Sequence, residues 1–307
     1  MLRHRIATAV AVCTAVFGVM FFLPAWTHLV LLMAVFALAH AEWAAMVRKS
    51  GFRHETAATW LCGAAFLLAT ALETPTVADA LARRGIVLAS EGGRTDWSSS
   101  ILAMTPALLL ALGVLRRRVD GALECFALSF AGFWYVAVLL SFIVRMAFDF
   151  PLLPEGRTDY TGRILVLVFV VLVKTSDIGA YAAGRIWGRH KLVPSISPAK
   201  TVEGLLGGYA FSVISGVVLW AVFKWGFGDG RLGQMAFPLS HAVVLAVVLA
   251  TTGVLGDLAE SLLKRSVGVK DASARFPGMG GTLDILDSLL FSAPFMAVYV
   301  FHFSHRF

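Results

Sequence analysis

The chain has 307 residues, 58% of them hydrophobic and 15% charged, with a mean hydropathy of +0.79. Globular domains average about 45–50% apolar and about 25% charged residues, so this composition excludes an ordinary soluble domain and fits a chain that crosses a bilayer many times. The net charge of +7 does not point to nucleic acid: no basic run is interleaved with aromatics, and loop Lys and Arg that orient a membrane protein account for the excess.

Apolar runs near the roughly 20 residues needed to cross the hydrocarbon core predict about nine helices, over 5–23, 27–47, 56–73, 99–115, 122–147, 163–183, 203–223, 239–262 and 284–303. The expected fold is an all-α polytopic membrane protein. It has an N-terminal region of about five spans, 1–160, and a C-terminal region, 161–307, whose polar loops at 184–202 and 263–283 carry the unusual residues. The first run follows the charged start MLRHR, but it is long and lacks an A-x-A-like site, so it reads as a retained helix rather than a signal peptide. Thr76–Ser90 reads as a short interfacial helix. Cys13, Cys62 and Cys125 lie in apolar stretches with no CxxC and no Cys/His cluster, which indicates neither a zinc site nor a disulfide framework. There is no internal repeat.

Alternate loops set the orientation. Sixteen Lys and Arg fall in segments on the side of the N-terminus and eight on the other, with Arg145 and Lys174 inside spans. Basic loops stay inside, so the N-terminus is expected in the cytoplasm and the C-terminus outside. Both polar loops, 184–202 and 263–283, then face the cytoplasm, where nucleotides are.

Span six carries Lys174, Asp177 and Tyr181 at i, i+3, i+7, one helix face; the Lys-Asp pair alone is also what a bundle-ordering ion pair looks like. Beyond it, Arg185, Arg189, His190, Lys191 and Lys200 are cations that either orient the chain or bind a triphosphate. SPAKTVEG, 197–204, combines hydroxyls, a Lys and a capping start for the next helix. Span eight places Asp257, Glu260, Ser261 and Lys264 on one face, and ionisable groups there are costly enough to argue for a hydrated cavity. In PGMGG, 277–281, small residues allow backbone N–H groups to approach an anion, although the stretch is neither a Walker loop nor a dinucleotide fingerprint. Asp284 and Asp287 open span nine on a shared face. Helix-dipole pairing explains two acids at an N-terminus. With Asp257 they make three carboxylates that need a cation, and oxygen-only ligands suit Mg²⁺. Such a set serves phosphoryl-type transfer, which needs positioning and charge neutralisation more than covalent chemistry. No Ser-His-Asp or Cys-His arrangement suggests an acyl-enzyme.

SLLKRSVGVKDASARFPGMGGTLDILDS, 261–288, resembles the signature of the phosphatidate cytidylyltransferase (CDP-diacylglycerol synthase) family, at Ser261, Lys264, Arg265, Lys270, Asp271, Pro277, Gly278, Gly280, Gly281, Asp284 and Asp287. The segment SDIGAYAAGRIWGRHKLVPSISPAKTVEG, 176–204, is similar to the family's upstream motif. The match covers about the last 145 residues. Two positions depart: Met279 stands where the family usually has His, and Ile285 where it has Arg.

The resemblance implies that CTP and phosphatidic acid give CDP-diacylglycerol and pyrophosphate, for phospholipid biosynthesis in a bacterial inner or plasma membrane. It implies Mg²⁺ on Asp257, Asp284 and Asp287, with a second cation such as K⁺. Lys264, Arg265, Lys270 and Lys200 would neutralise phosphates, and Asp271 would orient Lys270 or a metal-bound water. Ser197, Gly280 and Gly281 would contact CTP or pyrophosphate, and Asp177 would tie span six to the site. A homodimer is compatible with the resemblance alone. The alternatives are a cytidylyltransferase for another lipid phosphate, a polyprenol or phytol kinase, an inactive homologue, and a cation transporter. The last is disfavoured because the polar groups cluster at cytoplasmic ends instead of chaining through the bilayer centre.

Overall fold

The fold was derived from a computed structural model whose described residues are 11, 14–86, 96–117, 119–149, 161–226 and 238–303. In chain order the helices are α1 (Ala25–Lys49), α2 (Thr56–Glu73), a short α3 (Pro75–Ala82), α4 (Trp97–Leu115), α5 (Ala122–Phe148), α6 (Thr161–Trp187), α7 (Val202–Ala221), α8 (Leu239–Ser266) and α9 (Thr282–Phe303). Among the described residues, all of these except α3 are long and apolar enough to cross a membrane, eight in total. The expected first span, 5–23, is helical over 14–22, while 5–10, 12 and 13 lie outside the described residues. Of the segment Thr76–Ser90, α3 covers the start and residues 87–90 lie outside the described residues. The loop expected at 184–202 holds an element that the helical pattern did not announce, an antiparallel hairpin of β1 (Lys191–Val193) and β2 (Ser197–Thr201). Pro198 sits in β2, which a two-stranded edge tolerates.

The helices group into two compact units. The first comprises 1–163 and 266–285, the second 164–265 and 286–307. In the first unit α2 packs on α4 and α5, and more lightly on α1. Its buried faces interlock through Phe66, Leu67, Phe133, Val136 and Ala137. Gly132 makes room for the Trp43 indole, whose Nε1 donates to the Leu128 carbonyl at 3.2 Å. Just past this contact α5 widens into π-turns over Phe133–Val138. The Glu73 carboxylate caps α4, accepting from the Ser98 N–H and hydroxyl, each at 2.6 Å.

In the second unit α6 and α7 meet through small residues, as membrane helices do where backbones approach closely. Gly207 lies against Ala183, and a Cβ on Gly204 would stand 2.8 Å from the Ala180 carbonyl. Ser212 of α7 donates to the Ala246 carbonyl of α8 at 3.0 Å. The Thr252 hydroxyl of α8 donates to Ser292 of α9 at 2.9 Å. Thr201 ends the hairpin and caps α7, its hydroxyl accepting from the Gly204 N–H at 3.1 Å. Glu203 accepts from the Arg189 N–H at 3.0 Å and from His190 Nδ1 at 2.6 Å. The hairpin is thereby tied to the first turn of α7, which fixes where Ser197 and Lys200 are presented.

Candidate active site

The second unit sets acids and ammonium groups side by side on apolar helices. On α6, Lys174 Nζ donates to Asp177 Oδ2 at 3.1 Å and to the Ser288 hydroxyl of α9 at 2.8 Å. The same hydroxyl donates to Asp177 Oδ2 at 3.1 Å, closing a triangle. Asp177 of α6 is thus joined to α9 through Ser288. Asp287, the residue before Ser288, is 8% exposed, and its Oδ1 accepts from the Ser288 N–H at 2.5 Å. It lies within electrostatic range of Lys174, Asp257 and Asp177. Across from β2, Lys200 Nζ pairs with Asp257 Oδ2 at 2.8 Å and also donates to the Val254 carbonyl at 3.3 Å. Ser261, one turn on from Asp257, donates to its Oδ1 at 3.3 Å.

The polar stripe of α8 therefore resolves into two i, i+4 pairs, Asp257 with Ser261 and Glu260 with Lys264. Glu260 and Lys264 form a buried ion pair, Glu260 wholly enclosed and Lys264 8% exposed. Lys264, expected among the phosphate-binding cations, directs its charge to Glu260 in this structure. Arg265 is exposed, and Ser197 is half-buried at the start of β2.

In the first unit, Lys270 and Asp271 are exposed, and the following loop is built around two carboxylates. Phe276-Pro277-Gly278-Met279 forms a tight turn closed by the Met279 N–H on the Phe276 carbonyl at 3.0 Å, with Gly278 at φ 78°. That positive φ is the type II arrangement that calls for Gly after Pro. The Phe276 N–H donates to the Gly280 carbonyl at 2.8 Å, and the Gly280 N–H donates back to the Phe276 carbonyl at 3.1 Å. Asp284 Oδ2 then accepts from the Gly281 N–H at 2.6 Å and the Ala272 N–H at 2.9 Å. The N–H groups of Gly280 and Gly281, expected to meet an anion, are here taken by protein acceptors.

The second carboxylate was not singled out in the sequence. Glu42 of α1 is 3% exposed. Its Oε1 accepts from the Ser273 hydroxyl at 2.7 Å and from Arg275 Nη1 at 3.3 Å. Its Oε2 accepts from the Leu283 N–H at 2.9 Å, an orphan donor in the first turn of α9. A carboxylate at a span centre costs about 2.5–3.5 kcal/mol on insertion scales, and hydrogen bonds to charged groups return about 1.5–3 kcal/mol each. The signal was present in AHAEWAAM, a lone acid in an apolar run, which such costs mark as functional by default.

Among the described residues no three His, Cys, Asp or Glu side chains gather closely enough to ligate one metal ion. Mg²⁺ needs no such cage, since it is usually bound by one or two carboxylates plus substrate phosphates. Asp257 and Asp287, oxygen donors only and set among Lys174 and Lys200, fit that demand. Asp284 has its Oδ2 committed to the loop.

Comparison with known proteins gives the family of the chain. A model of the cytidylyltransferase family matches residues 3–303. A phosphatidate cytidylyltransferase of Haemophilus influenzae is 39% identical over 142 residues, 46% of this chain and 47% of that protein. One of Bacillus subtilis is 38% identical over 138 residues, 45% of this chain and 48% of that protein. One of Staphylococcus haemolyticus is 33% identical over 232 residues, 74% of this chain and 79% of that protein. The matched region thus spans about half the length of the first two relatives and most of the third.

Proposed function

The chain belongs to the cytidylyltransferase family, and from that premise we propose that it transfers the cytidylyl group of CTP to phosphatidate, giving CDP-diacylglycerol and pyrophosphate for phospholipid synthesis. A phosphate oxygen of the lipid attacks the α-phosphorus, the bond from that phosphorus to the bridging oxygen breaks, and pyrophosphate leaves with the electron pair. The observation that carries this reading is the second unit's set of paired charges, Lys200 with Asp257 and Lys174 with Asp177 and Ser288, beside buried Asp287. A soluble triphosphate and a lipid phosphate both need cations, and apolar helices hold them ready.

Asp257 and Asp287 would hold Mg²⁺, which when bound neutralises the triphosphate and orients it for in-line displacement. Lys200 turns from Asp257 to a phosphate oxygen as substrate arrives, and Lys174 keeps Asp177 and Ser288 in register behind Asp287. Ser197 and the exposed cation Arg265 of the second unit would meet the triphosphate, and the resemblance makes Lys270, exposed in the first unit, a further phosphate-binding cation. Asp271, beside Lys270, orients that ammonium. The Gly280–Gly281 step and Asp284 shape the loop that follows Lys270 and Asp271. The Lys and Arg bias favours a cytoplasmic face for this chemistry in a multi-pass membrane protein.

Purified protein given Mg²⁺, phosphatidate and CTP labelled at either the α- or the γ-phosphate tests the reading. Label from the α-phosphate in the lipid product supports it. Label only from the γ-phosphate means a lipid kinase, and no lipid label removes the transfer altogether.

A further inference from the structure

The first unit ties the loop at 272–283 to α1 through one side chain. Glu42 takes three donors at once: a side-chain hydroxyl from Ser273, a guanidinium from Arg275 and the N–H of Leu283 at the start of α9. These partners lie 231–241 residues away along the chain. The glycine pair matches this arrangement. A Cβ on Gly281 would stand 2.5 Å from Glu42 Oε2, and a Cβ on Gly280 would stand 2.5 Å from Asp284 Oδ2. Gly280 also holds φ 90°, where side chains are strained. Each glycine is therefore the residue that lets one carboxylate reach the loop backbone. The Gly-Gly step reads as a seat for two internal acids and only indirectly as a cradle for phosphate.

We propose that Glu42 is a positioning residue of the nucleotide site: by holding Ser273, Arg275 and the first turn of α9, it fixes the loop whose shape CTP binding depends on. This rests on the cytidylyl-transfer reading of the loop. Glu42 does not touch the substrate. It acts through the segment between Ala272 and Leu283, in the way an outer-shell partner sets the ligands in front of it.

Glu42→Ala, Glu42→Gln, Gly281→Ala and the double variant Glu42→Ala/Gly281→Ala are compared with the wild type as full chains in detergent. Amide hydrogen exchange over 272–283 and the KM for CTP and for phosphatidate are measured beside thermal unfolding. Glu42→Ala is expected to speed exchange at Gly281 and Leu283, to lower the unfolding midpoint and to raise the CTP KM about 10–100-fold, with the phosphatidate KM little changed. Glu42→Gln, which keeps one acceptor, falls between. Gly281→Ala alone costs as much as Glu42→Ala, and adding it to Glu42→Ala costs little more, because the clash partner has gone. Unchanged exchange and unchanged CTP KM in Glu42→Ala overturn the role. So do additive losses in the double variant, or a parallel rise of both KM values, which is what a merely structural residue gives. A wild type that transfers no α-label defeats the reaction itself. In that case retained protection over 272–283 in Glu42→Ala still overturns the role of Glu42, and lost protection sustains it.

Discussion

The two units hold their acids in different ways. In the second, Asp257 faces the Lys200 ammonium and Asp177 faces Lys174, each pair joining a carboxylate to a flexible cation. In the first, Glu42 and Asp284 take backbone N–H groups of Ala272, Gly281 and Leu283, with Ser273 and Arg275 adding side-chain donors on Glu42. An ammonium on a four-carbon stem can swing to a phosphate and leave its carboxylate for a metal ion. A backbone N–H cannot leave without dismantling the loop. The first arrangement suits groups that exchange partners during a reaction, and the second suits groups that must stay still.

The sharpest test of the second unit is to remove one of its candidate metal-holding carboxylates. Asp287→Asn and Asp257→Asn each keep the shape and one acceptor oxygen but not the charge. Either is expected to lower transfer of α-label from CTP by about a thousandfold or more, with expression and elution volume unchanged. Chelation with EDTA should abolish the wild-type reaction, and Mg²⁺ should restore it. Near-normal turnover in Asp287→Asn would sink the metal assignment.

Lys200→Met probes the cation side of the same pair. Loss of one positioned charge at a phosphate costs about 10²–10³-fold. The variant also leaves Asp257 without its ion-pair partner, so the loss is expected at the low end if Mg²⁺ takes over that carboxylate. A CTP titration reads it: a raised KM with kcat largely kept places Lys200 on the ground-state triphosphate, and an equal fall in kcat and kcat/KM places it on the transition state.

How much of this was legible in the chain depended on sequence distance. The acids of α8 and α9 were singled out because helical spacing puts i, i+3 and i, i+4 residues on one face, while the turn of Asp284 towards the loop had no local signal. Asp177 was singled out for its place three residues after Lys174, and Ser288, which was not, completes their triangle. Lys264 shares a face with Asp257, but also with Glu260 one turn away, and the nearer acid claimed it. The hairpin at 191–201 was missed because its short strands contain Pro198, a residue that speaks against a strand unless both edges are free. Glu42 was missed because no local pattern encodes a contact more than 230 residues away. Its trace was a penalty without a visible compensation, a lone acid in an apolar helix.

The first unit carries another polar group whose environment makes a testable prediction. His54, in the turn between α1 and α2, is hydrogen-bonded to Thr56 at 3.0 Å and lies 5.5 Å from the His40 ring, centroid to centroid. Burial, reinforced by the Arg48 charge, pushes its pKa down to about 4 from 6.5. The unfolded chain therefore binds the proton more readily than the folded one. Stability is full above about pH 6.5, falls as the pH drops towards 4, and levels off below that. Thermal unfolding across this window should show the slope in the wild type and a shallower one in His54→Gln. Identical slopes would mean that His54 is not held neutral by its surroundings.

The smallest effect is expected at the position where the chain departs from the resemblance. Met279 closes the Pro-Gly turn through its backbone, the N–H donating to the Phe276 carbonyl at 3.0 Å. That bond is indifferent to the side chain. Met279→His should therefore preserve the turn and change turnover by no more than about twofold, since a substitution away from caps, cores and buried charges usually shifts stability by less than about 0.5 kcal/mol. A modest gain would mean that the imidazole reaches a phosphate the thioether cannot. A large loss would carry more information. The loop backbone would be intact, Glu42 and Asp284 would still hold it, and the fault would lie in the ligand. Met279 would then be fitted to an apolar part of a substrate other than phosphatidate, and the contrast between exchangeable and fixed acids would survive with a different lipid in front of it.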